Sequence, residues 1–121
     1  MNIDIHQGEQ VTVVRITGSV DSLTAETLIQ AFSGQVGSAR ILLVADFSGV
    51  EYTSSAGLRA LLASLKDARG LGGDLRLAAV RPTVHRVLEL SGFTSILKIF
   101  DDVPSAVASY AGAGGAAGAG R

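Results

Sequence analysis

The sequence contains no cysteine, and its only histidines are His6 and His85. Without cysteine the chain has no means of forming disulfides, zinc–thiolate sites or a catalytic thiol. No apolar run in the sequence approaches the roughly 20 residues that are needed to cross a bilayer, so we expect no membrane insertion. The first residues also lack the basic start and the apolar stretch of a secretory signal. We therefore expect a cytoplasmic protein.

An excess of charge of one sign is also missing. The chain has 10 Lys and Arg residues against 11 Asp and Glu residues, for a net charge of -1. Such a balance provides no basic patch for a phosphate backbone, which argues against a nucleic-acid partner. Hydrophobic residues make up 47% of the 121 residues, which suits one globular core. We expect a single domain over residues 1–110 and a flexible Gly/Ala-rich tail without a function over residues 111–121.

Two hydrophobic periodicities alternate along the chain. Apolar residues at every second position predict strands, and apolar residues three and four apart predict amphipathic helices. The predicted elements are a hairpin around residues 7–10 that Gly18 closes, a helix over about 23–36 with Asp21 or Ser22 as its N-cap, a strand over 41–45, a helix that carries Leu58, Leu61, Leu62 and Leu65, a strand over 75–79, a helix from Pro82, a strand over 96–100 and a helix capped by Asp102. Helices between strands favour parallel neighbours. The predicted class is α/β, with a mixed, mostly parallel sheet of four to five strands and about four helices.

Hydroxyl side chains cluster just before the leucine-rich helix. Asp46 marks the predicted end of a buried strand, and a predicted loop over residues 47–55 follows it. In open α/β sheets, ligands and partners are met at the carboxyl ends of the strands. We therefore expect Asp46 to lie in one site with Thr53, Ser54 and Ser55.

Each of these residues also has a purely structural interpretation. Ser54 or Ser55 could simply cap the helix, which is worth about 1 kcal/mol, and Gly57 could simply permit a tight turn. Asp21 could be a cap, and Asp46 could anchor the loop through backbone amides. In the functional interpretation, one serine accepts a phosphate, which adds roughly -1.5 to -2 charges and changes what can dock there.

Residues 46–59, DFSGVEYTSSAGLR, resemble the signature of the STAS domain, in particular that of the bacterial anti-sigma factor antagonists. The resemblance extends over about residues 3–110. It includes GSVD at 18–21, GGDL at 72–75 and LSGF at 90–93. The order and spacing of these segments, rather than any one of them, make the resemblance specific.

The resemblance implies a regulator that switches partners. In that family, the unmodified antagonist binds an anti-sigma factor that is also a serine kinase, which frees the sigma factor. The kinase then phosphorylates a serine at the start of the second helix, and a PP2C-type phosphatase restores the antagonist. The resemblance places the phosphoacceptor on Ser55. It also implies partner-binding positions at Asp21, Asp46, Thr53, Ser54, Ser55, Ala56, Gly57 and Arg59. Since a small soluble switch is most often a monomer, we expect a monomer.

The sequence departs from the family pattern beside the acceptor. Family members often carry DSSG or DSTG where this chain has SSAG at residues 54–57. Ser54 replaces the acidic residue and becomes a rival acceptor, and the second hydroxyl is lost at Ala56. A STAS domain that serves as a fixed scaffold subunit, in a stress-sensing or a lipid-transport complex, is the alternative function, and it needs no phosphorylation.

The residues do not form a recognisable catalytic set. Ser55 lacks the glycine two positions earlier that a nucleophile elbow requires, because Thr53 stands there. His85 is the only candidate base, and it is predicted on the polar side of another helix. The glycines at 70–73 follow a helix and precede no Lys-Ser/Thr pair, unlike a phosphate-binding Walker loop. We therefore expect no enzymatic activity, no cofactor and no metal.

Overall fold

The computed structural model of the protein describes residues 1–111 and contains one sheet with helices on both faces. Strand order in the sheet is β1-β2-β3-β4-β5; β1 runs antiparallel to β2, and the other neighbouring pairs are parallel. The elements are β1 (Asn2–Gln7), β2 (Thr12–Val20), α1 (Ala25–Gly37), β3 (Leu42–Thr53), α2 (Ser55–Gly70), β4 (Asp74–Ala78), α3 (Pro82–Leu90), a 3-10 turn (Phe93–Ser95), β5 (Ile99–Phe100) and α4 (Val103–Ala108). The predicted α/β class, with a mixed sheet and four helices, is confirmed. Apart from residue 111, the predicted tail lies outside the described residues.

Two hydrophobic clusters hold the helices on the sheet. The larger cluster joins α1, α2 and α3 to one face through fully buried side chains such as Phe32, Leu61 and Leu88. The smaller cluster joins α4 and Tyr110 to the other face, which includes Val44. Within residues 1–111, none of the helices is long and apolar enough to span a membrane.

Strand β3 is much longer than the sequence predicts. Asp46 does not end it, because the strand continues to Thr53. The predicted loop over 47–55 is wrong for this reason: Phe47 and Val50 are fully buried, and this part of β3 pairs with β2 up to Val20 and Thr53. Two register shifts in the pairing, which break the simple alternation of side chains, explain why the pattern does not look like a strand.

Three other boundaries also differ from the prediction. Strand β2 continues through Gly18, whose φ of 107° is accessible to glycine, and ends at Val20. Helix α1 begins at Ala25, with Thr24 rather than Asp21 or Ser22 at the N-cap position. The last strand has only two residues, because the turn that begins at Phe93 continues through Ile96 and Leu97, whose N–H groups donate to the carbonyl oxygen of Phe93.

A charged cluster lies where β4 begins. The carboxylate of Asp74 accepts hydrogen bonds from Arg69 Nε (2.9 Å) and Arg76 Nε (3.1 Å). The guanidinium of Arg76 lies 3.9 Å from the ring centre of Tyr110, whose hydroxyl donates to the carbonyl oxygen of Leu43 at 2.8 Å. Burial alone would raise the pKa of Asp74, but the hydrogen bonds from Arg76 and Arg69 outweigh it and hold this pKa below its usual value of 3.8. The cluster therefore ties α2, β4 and the chain after α4 together as an ionised unit.

Because Asp74 is ionised in the folded protein, the free energy of unfolding should depend on pH in the acid range. Since its pKa is lower in the folded than in the unfolded chain, its contribution is present above pH 3.8 and is lost as the pH falls through the folded pKa. We expect Asp74→Asn to lower the urea midpoint at about pH 6 and to differ less from the unsubstituted protein at about pH 2.5. Asp67→Asn, on the exposed side of α2, is the control. If the difference in urea midpoint between Asp74→Asn and the unsubstituted protein does not shrink in acid, the lowered pKa of Asp74 is contradicted.

Candidate functional site

Ser54 joins the start of α2 to the end of β2. Its backbone N–H donates to the carbonyl oxygen of Val20 at 2.8 Å. Its extended backbone makes it the N-cap of α2, and its Oγ accepts a hydrogen bond from the N–H of Gly57 at 3.3 Å. Of the two serines that could cap this helix, Ser54 is therefore the one that does so.

Ser55 is the first residue of α2, and its side chain is exposed. Within residues 1–111 its hydroxyl takes part in no hydrogen bond, and the first turn of α2 carries no acidic residue. The amino end of a helix carries a partial positive charge that stabilises anions. Arg59 lies one turn further along α2, four residues away, so both side chains belong to the same face of the helix. This hydroxyl is thus accessible and lies in surroundings that favour a negative charge.

Gly57 allows α2 to approach the end of β2 closely. The residue is buried, and a Cβ placed on it would lie 2.8 Å from Val20 Cγ1 and 3.0 Å from the carbonyl oxygen of Val20, and closer still to the hydroxyl of Thr53. Ala56 beside it is partly buried and packs against the large hydrophobic cluster. The tight turn suggested for Gly57 is not the reason for a glycine here; the reason is the contact between α2 and β2.

Asp21 follows β2 directly and organises the turn that leads into α1. Its Oδ1 accepts hydrogen bonds from the N–H groups of Leu23 (2.9 Å) and Thr24 (3.1 Å). The carbonyl oxygen of Val20 accepts a hydrogen bond from the N–H of Ser54, so Asp21, the residue after Val20, lies next to the segment that carries Ser55. The structure therefore brings Asp21 together with Thr53, Ser54, Ser55, Ala56, Gly57 and Arg59 at the ends of β2 and β3.

Asp46 lies apart from this group. It pairs with Arg15 on β2 and Ala78 on β4, in the middle of the sheet. Its Oδ1 accepts from the N–H of Ser48 at 3.0 Å, and its Oδ2 lies 3.8 Å from Arg15 Nε. At about 3.3 Å per strand residue, Asp46 is roughly 20 Å from Thr53. The prediction that Asp46 lies in one site with Ser55 is wrong, because β3 continues past Asp46 to Thr53. The hydrogen bond from the Ser48 N–H supports the structural interpretation of Asp46, in which its carboxylate anchors a backbone amide.

Two exposed apolar side chains flank the site, and sequence reasoning missed both. Leu23, in the turn after Asp21, is 88% exposed, and Tyr52, near the end of β3, is 54% exposed. Leu23 fits the helical period that follows it, and the sequence predicts a loop at Tyr52. The sequence pattern therefore marks neither residue as a candidate site residue. Tyr52 is part of the continued β3, where it pairs with Ser19 of β2 and keeps its side chain exposed. We use "switch surface" for Asp21, Leu23, Tyr52, Ser55 and Arg59.

The STAS domain model matches residues 2–106, and the chain therefore belongs to the STAS domain family. It is 32% identical over 110 residues to BtrV of Bordetella bronchiseptica, which is named as a candidate anti-sigma factor antagonist; the match covers 91% of this chain and 95% of BtrV. Among solved structures, an anti-sigma factor antagonist from Mycobacterium paratuberculosis is 26% identical, with a TM-score of 0.78 and coverage of 89% and 92%. SpoIIAA of Bacillus, solved in its phosphorylated form, shares the fold at 16% identity, with a TM-score of 0.71 and coverage of 89% and 98%.

The two serines should differ in what they contribute to stability. Ser54→Ala removes the cap of α2, and we expect it to lower the free energy of unfolding by about 1 kcal/mol. Ser55→Ala removes an exposed hydroxyl without a partner and should change it by less than about 0.5 kcal/mol. Urea denaturation of the two variants measures the difference. Equal losses would show that the capping assignment is wrong.

Gly57→Val should destabilise the protein more than either serine change. The added side chain would meet Val20 and Thr53 at distances that folded proteins do not tolerate, so α2 must move away from β2. Forced overpacking of this kind costs typically about 1–3 kcal/mol. Gly70→Val is the control, because a Cβ on Gly70 at the end of the same helix meets no atom within 4 Å. A similar urea midpoint for the two variants would show that the close approach is unimportant.

Proposed function

We propose that this chain is a cytoplasmic anti-sigma factor antagonist that works by partner switching. Its unphosphorylated form binds an anti-sigma factor that is also a serine kinase, and a sigma factor is thereby freed. Phosphorylation of Ser55 releases the antagonist, and a PP2C-type phosphatase reverses the step. The kinase, not this chain, binds ATP, and the chain itself is not an enzyme. The observation that carries the proposal is that Ser55 is exposed at the start of α2 while Ser54 is engaged in capping.

A phosphate on Ser55 is compatible with the fold. It would add roughly -1.5 to -2 charges at the positive end of α2, where the first turn contains no carboxylate. Arg59, four residues along the same helix face, provides a cation on the side of the phosphate. Modification should therefore leave the domain folded and change only the surface that a partner meets.

The composition of the switch surface explains how a phosphate could release a partner. Unmodified, this surface presents a neutral hydroxyl with the exposed side chains of Leu23 and Tyr52 nearby, which suits a partner that buries apolar area. A dianion at the centre of such an interface must lose its water without gaining an equivalent partner. Each 1.4 kcal/mol of that cost lowers affinity tenfold, so release requires no change of fold.

Ser54 is the less suitable acceptor for two reasons. Its hydroxyl is partly buried and accepts a hydrogen bond from Gly57, so a kinase would have to break the cap before it could reach the oxygen. A phosphate there would also lie at the junction with Val20, where α2 packs closely on β2. These contacts favour Ser55 even though the neighbouring residue is no longer acidic.

Site-specific phosphoserine tests the switch directly. We expect phosphoserine at position 55 to weaken binding to the anti-sigma factor kinase by about a hundredfold, equivalent to about 2.7 kcal/mol, with unchanged far-ultraviolet circular dichroism. Isothermal titration calorimetry with the anti-sigma factor kinase that phosphorylates this chain gives the affinities. Ser55→Ala should bind like the unmodified protein and should not be phosphorylated, and Ser54→Ala should still be phosphorylated at Ser55 by mass spectrometry.

Three results would overturn the proposal or part of it. Phosphate found on Ser54 alone would reassign the acceptor. Equal affinity of the phosphorylated and unmodified proteins would remove the switch. Co-purification in a fixed ratio with a transporter or a very large assembly, with Ser55 unmodified, would instead support the scaffold alternative.

A further inference from the structure

Within residues 1–111, no strand pairs with the outer edge of β1. Strand β1 is the outermost strand, it has six residues, and five of them are exposed. Its pairing with β2 contains no register shift, so the edge is regular along its whole length. The opposite edge, β5, has only two residues. A long, regular and uncovered edge is a template for another strand, whereas a very short one is not.

The hairpin fixes which backbone groups of β1 point outward. The N–H of Gly8 donates to the carbonyl oxygen of Val11, and the residue pairs then run from Gln7 opposite Thr12 to Asn2 opposite Thr17. Bonded and non-bonded pairs alternate in an antiparallel ladder. Even-numbered residues of β1 are thus bonded to β2. The N–H and C=O groups of Ile3, Ile5 and Gln7 point away from the sheet.

The side chains of β1 match a second copy of the same strand in one register. When two β1 strands pair antiparallel about Ile5, the outward groups of Ile5 face each other, and those of Ile3 face those of Gln7. Asp4 of each copy then lies opposite His6 of the second copy in a non-bonded pair, where side chains are closest. Centring the pair on Asp4 would place two carboxylates opposite each other, and centring it on His6 would place two imidazoles opposite each other. Centring it on Ile3 would shorten the ladder.

We propose that the protein forms a symmetric dimer in which the two β1 strands pair antiparallel about Ile5 and make one ten-stranded sheet. Across the pair, an imidazole N–H of His6 can donate a hydrogen bond to the carboxylate of Asp4, which selects the second copy. Ile5, which is 44% exposed, is covered by its own equivalent. Asp4 also lies opposite Arg15 of β2. Five of the six residues of β1 are exposed, and at its carboxyl end the side chain of Gln7 donates a hydrogen bond to Gln35 of α1 at 2.8 Å. The proposal replaces the monomer expected from the sequence.

Sedimentation equilibrium between about 10 µM and about 1 mM tests the dimer, since an interface of one strand pair is small. The unsubstituted protein should form a dimer in this range. Ile5→Pro removes the outward N–H, which β2 does not use, so it should abolish the dimer and leave circular dichroism unchanged. Ile5→Ala, which keeps that N–H, should retain the dimer with weaker association. A monomer throughout the range, or an undiminished Ile5→Pro dimer, would overturn the proposal.

Changes at His6 test the register without touching the backbone. His6→Asp places two pairs of carboxylates opposite each other and should weaken association by about tenfold or more. His6→Lys places a cation opposite Asp4 and should associate at least as tightly as the unsubstituted protein. Equal association of the two variants would overturn the proposed pairing. Ser55→Ala should not change the dimer, so this test is independent of the phosphorylation proposal.

Discussion

The close contact between the start of α2 and the end of β2 is the constraint on which the site depends. Three features maintain it: the hydrogen bond from Ser54 to the carbonyl oxygen of Val20, the cap that Ser54 provides, and the absence of a side chain on Gly57. Together they fix the direction in which α2 leaves the sheet. Ser55 is exposed as a consequence, because the residue before it and the residue two after it are both held against β2.

This contact also explains why the unusual SSAG segment at residues 54–57 is compatible with the family fold. Ser54 stands where the family resemblance predicts an acidic residue, and serine and aspartate cap helices about equally well. The geometry is therefore kept while one negative charge is removed. A phosphate on Ser55 would then have no carboxylate on the residue before it. The carboxylate of Asp21 remains in the site, and its Oδ1 accepts hydrogen bonds from the N–H groups of Leu23 and Thr24. The replacement should lower the electrostatic cost of the modified state without altering the position of the acceptor.

The sequence predicts the parts of the fold that depend on regular periodicity. The leucines of α2, the apolar start of β3 and the cap at Asp102 form short-range patterns, and the structure has each element in place. The second half of β3 could not be predicted in this way. Its strand character comes from pairing with β2 across two register shifts, and such long-range pairing leaves no simple alternation in the residues.

The same limit explains which candidate residues lie together in the structure and which do not. Ser54, Ser55 and Gly57 are neighbours in the chain, so any helix that starts there keeps them together. Asp46 was grouped with them only through an assumed strand end, and the true end of β3 moves it away. Leu23 and Tyr52 acquire their importance from exposure, and exposure depends on the three-dimensional packing rather than on the type of residue.

The proposed dimer uses the outer edge of β1, whereas the switch surface lies at the ends of β2 and β3. In the dimer, the topology keeps the two copies of the switch surface apart. Since β1 runs antiparallel to β2, the amino end of β1 lies near the end of β2, where the switch surface begins. In an antiparallel pair of β1 strands the two amino ends point in opposite directions. The two copies of Ser55 would then lie at opposite ends of the ten-stranded sheet. Each could bind a partner or carry a phosphate independently, so dimer formation would raise the local number of binding sites without coupling their states.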